Sequence, residues 1–344
     1  MAATKRGDML RRRSARTWHA ASLVLGGLLV FQPSAFATGS WELTLTLSTR
    51  SALPGEPILV AGTMTYRGTE PFLGFAGFGR SSLTYTAPSG RRLGGWDALW
   101  FGGPADAPPP ARAQTYADAW DTSAEILLLY DSWSGSYVLL EPGTGKLELS
   151  AEIWQGTALE TYRPLRLTTE PLPVTVAPLP DSERQAFALW CGRDKANMFL
   201  TERTTPSAEA DLRTLVERHP SSAYAKYGLL ALARARRGER HRLRPGPAGK
   251  LSPEQRETRK RLAAEEIGLL EQVMERYGVF HLTPLVLDEL VEAAQAVGDR
   301  VRIEKCATML LGIRDAPKSF QSRAKRALES VRRREAESSS PGSR

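Results

Sequence analysis

From Trp41 to Ser48 every second residue is apolar: Trp41, Leu43, Leu45 and Leu47 alternate with Glu42, Thr44, Thr46 and Ser48. Successive side chains of a strand point to opposite faces, so this period of two predicts a strand with one buried face. Pro54-Gly55-Glu56-Pro57 predicts a turn, and the apolar, threonine-rich run Ile58–Tyr66 a second strand. Glu125–Tyr130 and Tyr137–Leu140 read as buried strands. Pro142-Gly143-Thr144-Gly145 predicts another turn. Lys146–Trp154 then alternates, with Leu147, Leu149, Ala151 and Ile153 on one face, and Leu172–Val176 makes a last short strand. Short strands parted by turns predict an all-β sandwich or barrel over residues 38–180.

Past Asp181 the period lengthens. Ala263, Ile267, Leu270, Met274 and Tyr277 form one stripe at helical spacing. Ser252-Pro253-Glu254-Gln255 sets a serine cap, a first-turn proline and a capping-box glutamine in order. Thr205-Pro206 and Thr283-Pro284 repeat the cap and proline, and Gly238, Gly278 and Gly298 stand where helices are expected to stop. The pattern predicts seven helices: Asp181–Glu202, Ser207–His219, Ser222–Arg237, Pro253–Tyr277, Pro284–Val297, Arg300–Ile313 and Ser319–Arg334. Leu215-Val216-Glu217-Arg218-His219-Pro220 is echoed by Val273-Met274-Glu275-Arg276-Tyr277-Gly278, which points to repeated helix pairs. Residues 239–261 form a basic insertion with Pro245-Gly246-Pro247, expected as an exposed loop, and 336–344 a disordered tail.

Ahead of the first strand stand Lys5, Arg6, Arg11, Arg12, Arg13 and Arg16, an apolar run from Ala20 to Phe31, and Ala35-Phe36-Ala37. Basic segment, short apolar core and small-residue cleavage site make residues 1–37 an expected signal peptide, and the rest periplasmic or secreted. The apolar run is shorter than the ~20 residues a membrane span needs, so no integral span is expected once the signal is cleaved. The net charge of +8 conceals an asymmetry. Residues 38–180 carry nine Lys/Arg against 14 Asp/Glu, and residues 181–344 carry 31 against 23. Opposite signs suit two docking surfaces or simply two solvated parts. Without an aromatic-basic binding motif, nucleic acid is not an expected partner.

Chemistry enters sparsely. His219, His241 and His281 lie far apart, with no H-E-x-x-H, no G-x-S-x-G elbow and no C-x-x-C in the chain. Helix capping is the expected role of His219 and His281. Gly143-Thr144-Gly145-Lys146 lacks the earlier glycine and the Ser/Thr of a phosphate loop. Asp118, Asp121 and Glu125 make a small acidic cluster without a recognised calcium-loop pattern. No catalytic residue, metal site or cofactor is expected. Cys191 and Cys306 are the two cysteines. Export permits a disulfide between them, which would stabilise by roughly 4–5 kcal/mol on a chain-entropy estimate; two separate buried thiols are the alternative. Between Ser89 and Trp120 glycine, proline and aromatics crowd together. Trp96, Trp100, Tyr116 and Trp120 are the candidate binding residues there, able to stack on sugar rings or to fill a core between sheets.

Two resemblances follow from these residues. The opening strand, Pro54-Gly55-Glu56-Pro57-Ile58, Leu140-Glu141-Pro142-Gly143 before Leu147-Glu148-Leu149, and Pro173-Val174-Thr175-Val176 make residues 38–180 resemble immunoglobulin-like sandwich domains of exported bacterial proteins. Thr144, Gly145 and Lys146 stand where such domains often carry a corner tyrosine. Tyr227, Leu230 and Ala231 before Gly238, then Leu287, Leu290 and Val291 before Gly298-Asp299, then Ile303, Ala307 and Leu310, make residues 181–335 resemble a degenerate tetratricopeptide array of stacked helical hairpins. Arg234 and Ala294 replace an aromatic of that pattern. The second resemblance implies peptide or protein binding. The expectation is a multidomain, non-enzymatic adaptor of the bacterial envelope that binds a protein partner through its helices. The alternatives are a cell-wall glycan-binding module and an accessory subunit of an exported enzyme.

Overall fold

The computed structural model describes residues 40–67, 72–74, 77–96, 114–116, 120–121, 125–127, 130–131, 136–137, 140–155, 163–243 and 251–339. The expected signal peptide, Trp100, Asp118, Pro245-Gly246-Pro247 and the end of the tail lie outside them.

The strands are β1 Ser40–Leu47, β2 Ser51–Ala52, β3 Ile58–Arg67, β4 Phe72–Gly74, β5 Gly77–Thr86, β6 Arg92–Trp96, β7 Gln114–Tyr116, β8 Trp120–Asp121, β9 Glu125–Leu127, β10 Tyr130–Asp131, β11 Ser136–Tyr137, β12 Gly143–Gln155, β13 Arg163–Thr168 and β14 Leu172–Val176. Among the described residues they build two open sheets. One runs β1-β3-β8 with β9 also on β3; the other runs β2-β14-β12-β5-β6 with β13 also on β12. β4 with β7 and β10 with β11 make two small ladders. The period of two sets the layering. Trp41, Leu43 and Leu45 are buried while Glu42, Thr44 and Thr46 are exposed. Ile58 and Val60 join them, and Leu83, Tyr85, Leu147, Leu149, Val174 and Val176 of the second sheet complete the same apolar cluster.

Two expectations change. Glu125–Tyr130 is divided between β9 on β3 and β10 on β11. Of Tyr137–Leu140, Tyr137 lies in β11 and Leu140 is buried, with residues 138–139 outside the described residues. The turn expected at Pro142–Gly145 is no turn: Gly143, Thr144 and Gly145 open β12 opposite Val176, Thr175 and Val174. The reason is packing. The buried Tyr85 ring lies over Gly145 so closely that a Cβ there would overlap it. Glycine serves here for close approach rather than for turning.

After a 3₁₀ turn at Asp181–Glu183 come α1 Arg184–Trp190, α2 Arg193–Thr201, α3 Pro206–Arg218, α4 Ala225–Arg242, α5 Pro253–Tyr277, α6 Thr283–Val297, α7 Arg300–Gly312 and α8 Lys318–Ser339. From α2 onward each helix packs on the next, and α1–α3, α2–α4 and α6–α8 also touch. These are stacked helices. The stripe read on α5 is buried at Ala263, Ile267 and Leu270. Ser252 makes its capping box with Gln255, Thr205 caps α3, and Gly278 and Gly298 end α5 and α6 at φ 62° and 78°.

The departures are local and physical. The single helix expected over 181–202 breaks at Cys191-Gly192, where Cys191 is extended and Gly192 takes φ 141°. Thr283 does not cap α6 from outside; it is the helix's first residue, and its hydroxyl accepts the Phe280 N–H at 2.8 Å. α8 continues through the first residues of the expected tail to Ser339. Gly238 ends nothing, because α4 runs through it to Arg242. A Cβ at 238 would collide with the backbone carbonyl of Glu202, so the residue's smallness lets the end of α2 rest on α4.

The sheets and helices belong to one compact unit, residues 37–344. Leu59 of β3 packs into the helical core rather than the β core. One consequence is measurable at Gly238. In an open helix interior, Gly→Ala stabilises by about 1 kcal/mol through propensity. Here the collision costs more than propensity returns, so Gly238→Ala is expected to destabilise by about 1–3 kcal/mol in urea unfolding.

Candidate functional site

The turn Pro54-Gly55-Glu56-Pro57 carries the geometry from which the site is built. Proline has no backbone N–H, so two of its four residues offer only carbonyls. Pro54, Gly55 and Pro57 are buried, and buried acceptors need donors. The helices supply them. Trp190 Nε1 donates to the Gly55 carbonyl at 2.8 Å, and Tyr224 Oη to the Pro54 carbonyl at 2.8 Å. His281 Nε2 donates to the Pro57 carbonyl at 2.9 Å, and Tyr227 Oη to Glu56 Oε1 at 3.0 Å. Glu56 Oε2 turns back to accept the Leu53 N–H at 2.7 Å, and Lys226 Nζ stands 3.8 Å from Oε1.

All four donors sit on aromatic rings, which bury apolar area and still present one polar tip. Their rings also hold one another. Trp190 meets Phe199 edge-on at 5.7 Å and Tyr227 at 5.8 Å, and Phe187 meets Tyr224 at 5.5 Å. Burial, with Glu56 beside it, pushes the Tyr227 hydroxyl well above its ordinary range, and Tyr224 moves the same way. Burial lowers His281, which keeps it neutral with its proton on Nε2, facing Pro57. His281 is therefore a clasp on the turn and not a helix cap.

Docking the turn fixes how β3 leaves it. Ile58 and Val60 face the β core; Leu59, Ala61 and Thr63 face the helices. Between that second face of β1 and β3 and the loops before α6 and α8 lies an open cleft of about 650 Å³. Thr46, Ser48 and Thr63 give it hydroxyls, and Leu47, Phe280 and Ile313 apolar surface. Val279 at its rim is 83% exposed. Arg50, Arg314 and Lys318 are exposed cations of the lining, against Asp315 as the one acid among the described residues.

Behind the cradle, α4 carries a second polar assembly. Arg234, 7% exposed, donates to Glu289 and to the Phe199 carbonyl. Arg237 bridges Glu202 and Glu292, and Arg240, 3% exposed, bridges Glu266 and Glu292. His241 joins Glu292 at 2.7 Å and Glu202 at 3.4 Å. Hydrogen bonds to Glu202 and Glu292 push His241 up to about 9. Burial opposes ionisation of Glu292, but His241 and Arg237 hold it below the usual carboxylate range. Burial raises Glu266 to about 7 despite its Arg240 partner. This network ties α2, α4, α5 and α6 together. It also corrects the reading of residues 239–261 as an exposed loop. Glu239–Arg242 are helical, Arg240 is buried, and α5 starts at Pro253.

The aromatic candidates are placed by the backbone alone. Trp96 pairs with Leu83 in the larger sheet, Tyr116 with Phe72 in a small ladder, and Trp120 with Met64 in the other open sheet. They stand on three separate sheets. Cys191 and Cys306 each keep a thiol, the latter buried and raised in pKa by that burial. No group of three His, Cys, Asp or Glu among the described residues is arranged to hold a metal ion. Reading the sequence missed the cradle and the cleft. The turn itself was visible; the acceptor-only character of its two prolines was the signal that it needed donors. No protein-family model matches this chain, and no curated protein matches it.

Two outcomes test this geometry. Tyr224→Phe keeps the ring and leaves the Pro54 carbonyl buried without its donor, so it is expected to cost about 1–3 kcal/mol in urea unfolding. His241 has a folded pKa of about 9 against an ordinary 6.5. Its contribution is full below pH 6.5 and disappears as pH rises through 9. The urea midpoint is expected to fall over that window, and His241→Gln to flatten the fall.

Proposed function

We propose that this chain is an exported, non-enzymatic binding protein of a bacterial envelope that holds a segment of a protein partner in the cleft between its sheets and its helices. The observation that carries the reading is the cleft's composition. It offers hydroxyls, exposed apolar surface and three cations, contributed from both parts of one compact unit. Its histidine, His281, is engaged with Pro57. The aromatic cradle of the helices is filled by the chain's own turn. A partner is therefore best received beside the cradle, where β1, β3 and the loops before α6 and α8 meet.

The finer fold readings belong to the same proposal. Two open sheets sharing one core support an immunoglobulin-like arrangement for residues 38–180. Buried Tyr227, Leu230, Ala231, Leu287, Leu290 and Val291 support tetratricopeptide-like hairpins in the helices. Arg234, in an aromatic position of that pattern, lies 4.9 Å over the Phe199 ring and pairs with Glu289, so its flat guanidinium does a ring's packing. Export rests on the basic segment, apolar run and Ala35-Phe36-Ala37. Among the described residues no helix is long and apolar enough to cross a membrane.

Cells making the full chain with a photo-crosslinking amino acid in place of Asp315 test the proposal. The expected result is an envelope-fraction protein whose first residue is Thr38, cross-linked to one defined polypeptide, with the adduct insensitive to muramidase. Recovery from the cytoplasm with residues 1–37 intact would sink export. An adduct that muramidase removes would replace the protein partner with wall glycan.

A further inference from the structure

We infer that the cleft receives its partner as an added β-strand: an extended, carboxylate-bearing polypeptide segment laid along the edge of β1. The inference rests on the binding role proposed above and specifies the partner's chemistry.

The backbone of β1 carries the argument. Ser48 N–H donates to the Leu59 carbonyl at 2.9 Å, in line with the register that pairs Thr46 with Ala61 and Thr44 with Thr63. In an antiparallel ladder, residues whose backbone groups point to the neighbour alternate with residues whose groups point away. Ser48, Thr46 and Thr44 therefore address β3, and Leu47, Leu45 and Leu43 turn their N–H and C=O groups out of the sheet. Among the described residues β1 ladders with β3 alone; β13 comes near it without pairing. Leu45 and Leu47 line the cleft. An edge that carries no ladder among the described residues and borders a cleft is a template for one more strand.

An inorganic anion or a sugar would not match a row of alternating donors and acceptors at strand spacing; a second extended backbone would. Charge then selects its side chains. Arg50 follows β1 in the chain, Arg314 stands in the turn between α7 and α8, Lys318 opens α8, and Asp315 is the one acid of the lining among the described residues. A segment alternating apolar residues with Asp or Glu sets its apolar side chains on the face of Leu47 and its carboxylates on the face turned to the helices and their cations. A lysine-bearing segment is repelled.

The test uses the full chain after export and two synthetic octapeptides, one alternating valine with glutamate and one alternating valine with lysine, plus dextran sulfate as a bulk polyanion. Anisotropy should show saturable binding of the glutamate peptide alone. Hydrogen exchange should slow at the amides of Leu45 and Leu47. Leu47→Pro removes one outward N–H, and proline is tolerated where an edge strand's N–H faces away from its ladder. It should weaken binding at least about tenfold, an effect of about 1.4 kcal/mol. Arg314→Glu should weaken it similarly and leave the urea midpoint near its starting value, which covers the case in which Leu47→Pro unfolds the chain. Binding without amide protection, or equal competition by dextran sulfate, would overturn strand addition. Equal affinity for both peptides would overturn the charge preference. No peptide binding, with the Asp315-position adduct still formed, would sink this inference and leave the binding role standing; loss of both would sink both.

Discussion

Everything in this molecule depends on satisfying the carbonyls of one buried turn. A turn with proline at both ends is a poor donor and a good acceptor, and burying it away from water without partners is expensive. Trp190, Tyr224 and His281 resolve that by bringing donors on large rings to three carbonyls, and Tyr227 brings one to the Glu56 carboxylate. The same side chains bury the apolar surface that closes the helical stack. Polar satisfaction and apolar packing are thus achieved by one set of residues. The relation between sheets and helices follows, because β3 starts where the turn ends.

The ion network on α4 plays a complementary part. Three arginines spaced by three on one helix would repel if left alone. Glu202, Glu266, Glu289 and Glu292 arrive from three other helices to neutralise them. Removing one member of such a buried set leaves a charge without its partner, which costs more than forming the pair returns.

Much of the architecture is legible in the sequence. Alternation in Trp41–Ser48 and Lys146–Trp154, the capping box at Ser252 and the stop at Gly298 are local signals, and local physics decided them. Failures occurred where tertiary contact overrode local preference. Gly145 and Gly238 look like turn and stop residues, yet each is small because something else lies against it: the ring of Tyr85 in one case, the carbonyl of Glu202 in the other. Arg240 looks like part of a solvated basic stretch, and only the distant Glu266 and Glu292 explain its burial. The cleft was illegible for the same reason. Its walls come from residues more than two hundred positions apart, and no motif in one segment announces the other.

The turn and its donors also order events in time. Gly55 waits for Trp190 across 135 positions, Pro54 for Tyr224 across 170, and Pro57 for His281 across 224. Closure across such separations is entropically slow, and a chain made from its N-terminus cannot complete the clasp until most of it exists. Until the helices are made, the turn lacks its donors and water must meet its carbonyls. Maturation becomes a late, nearly simultaneous locking of both parts, and a chain cut short before His281 would leave the turn partly unclasped.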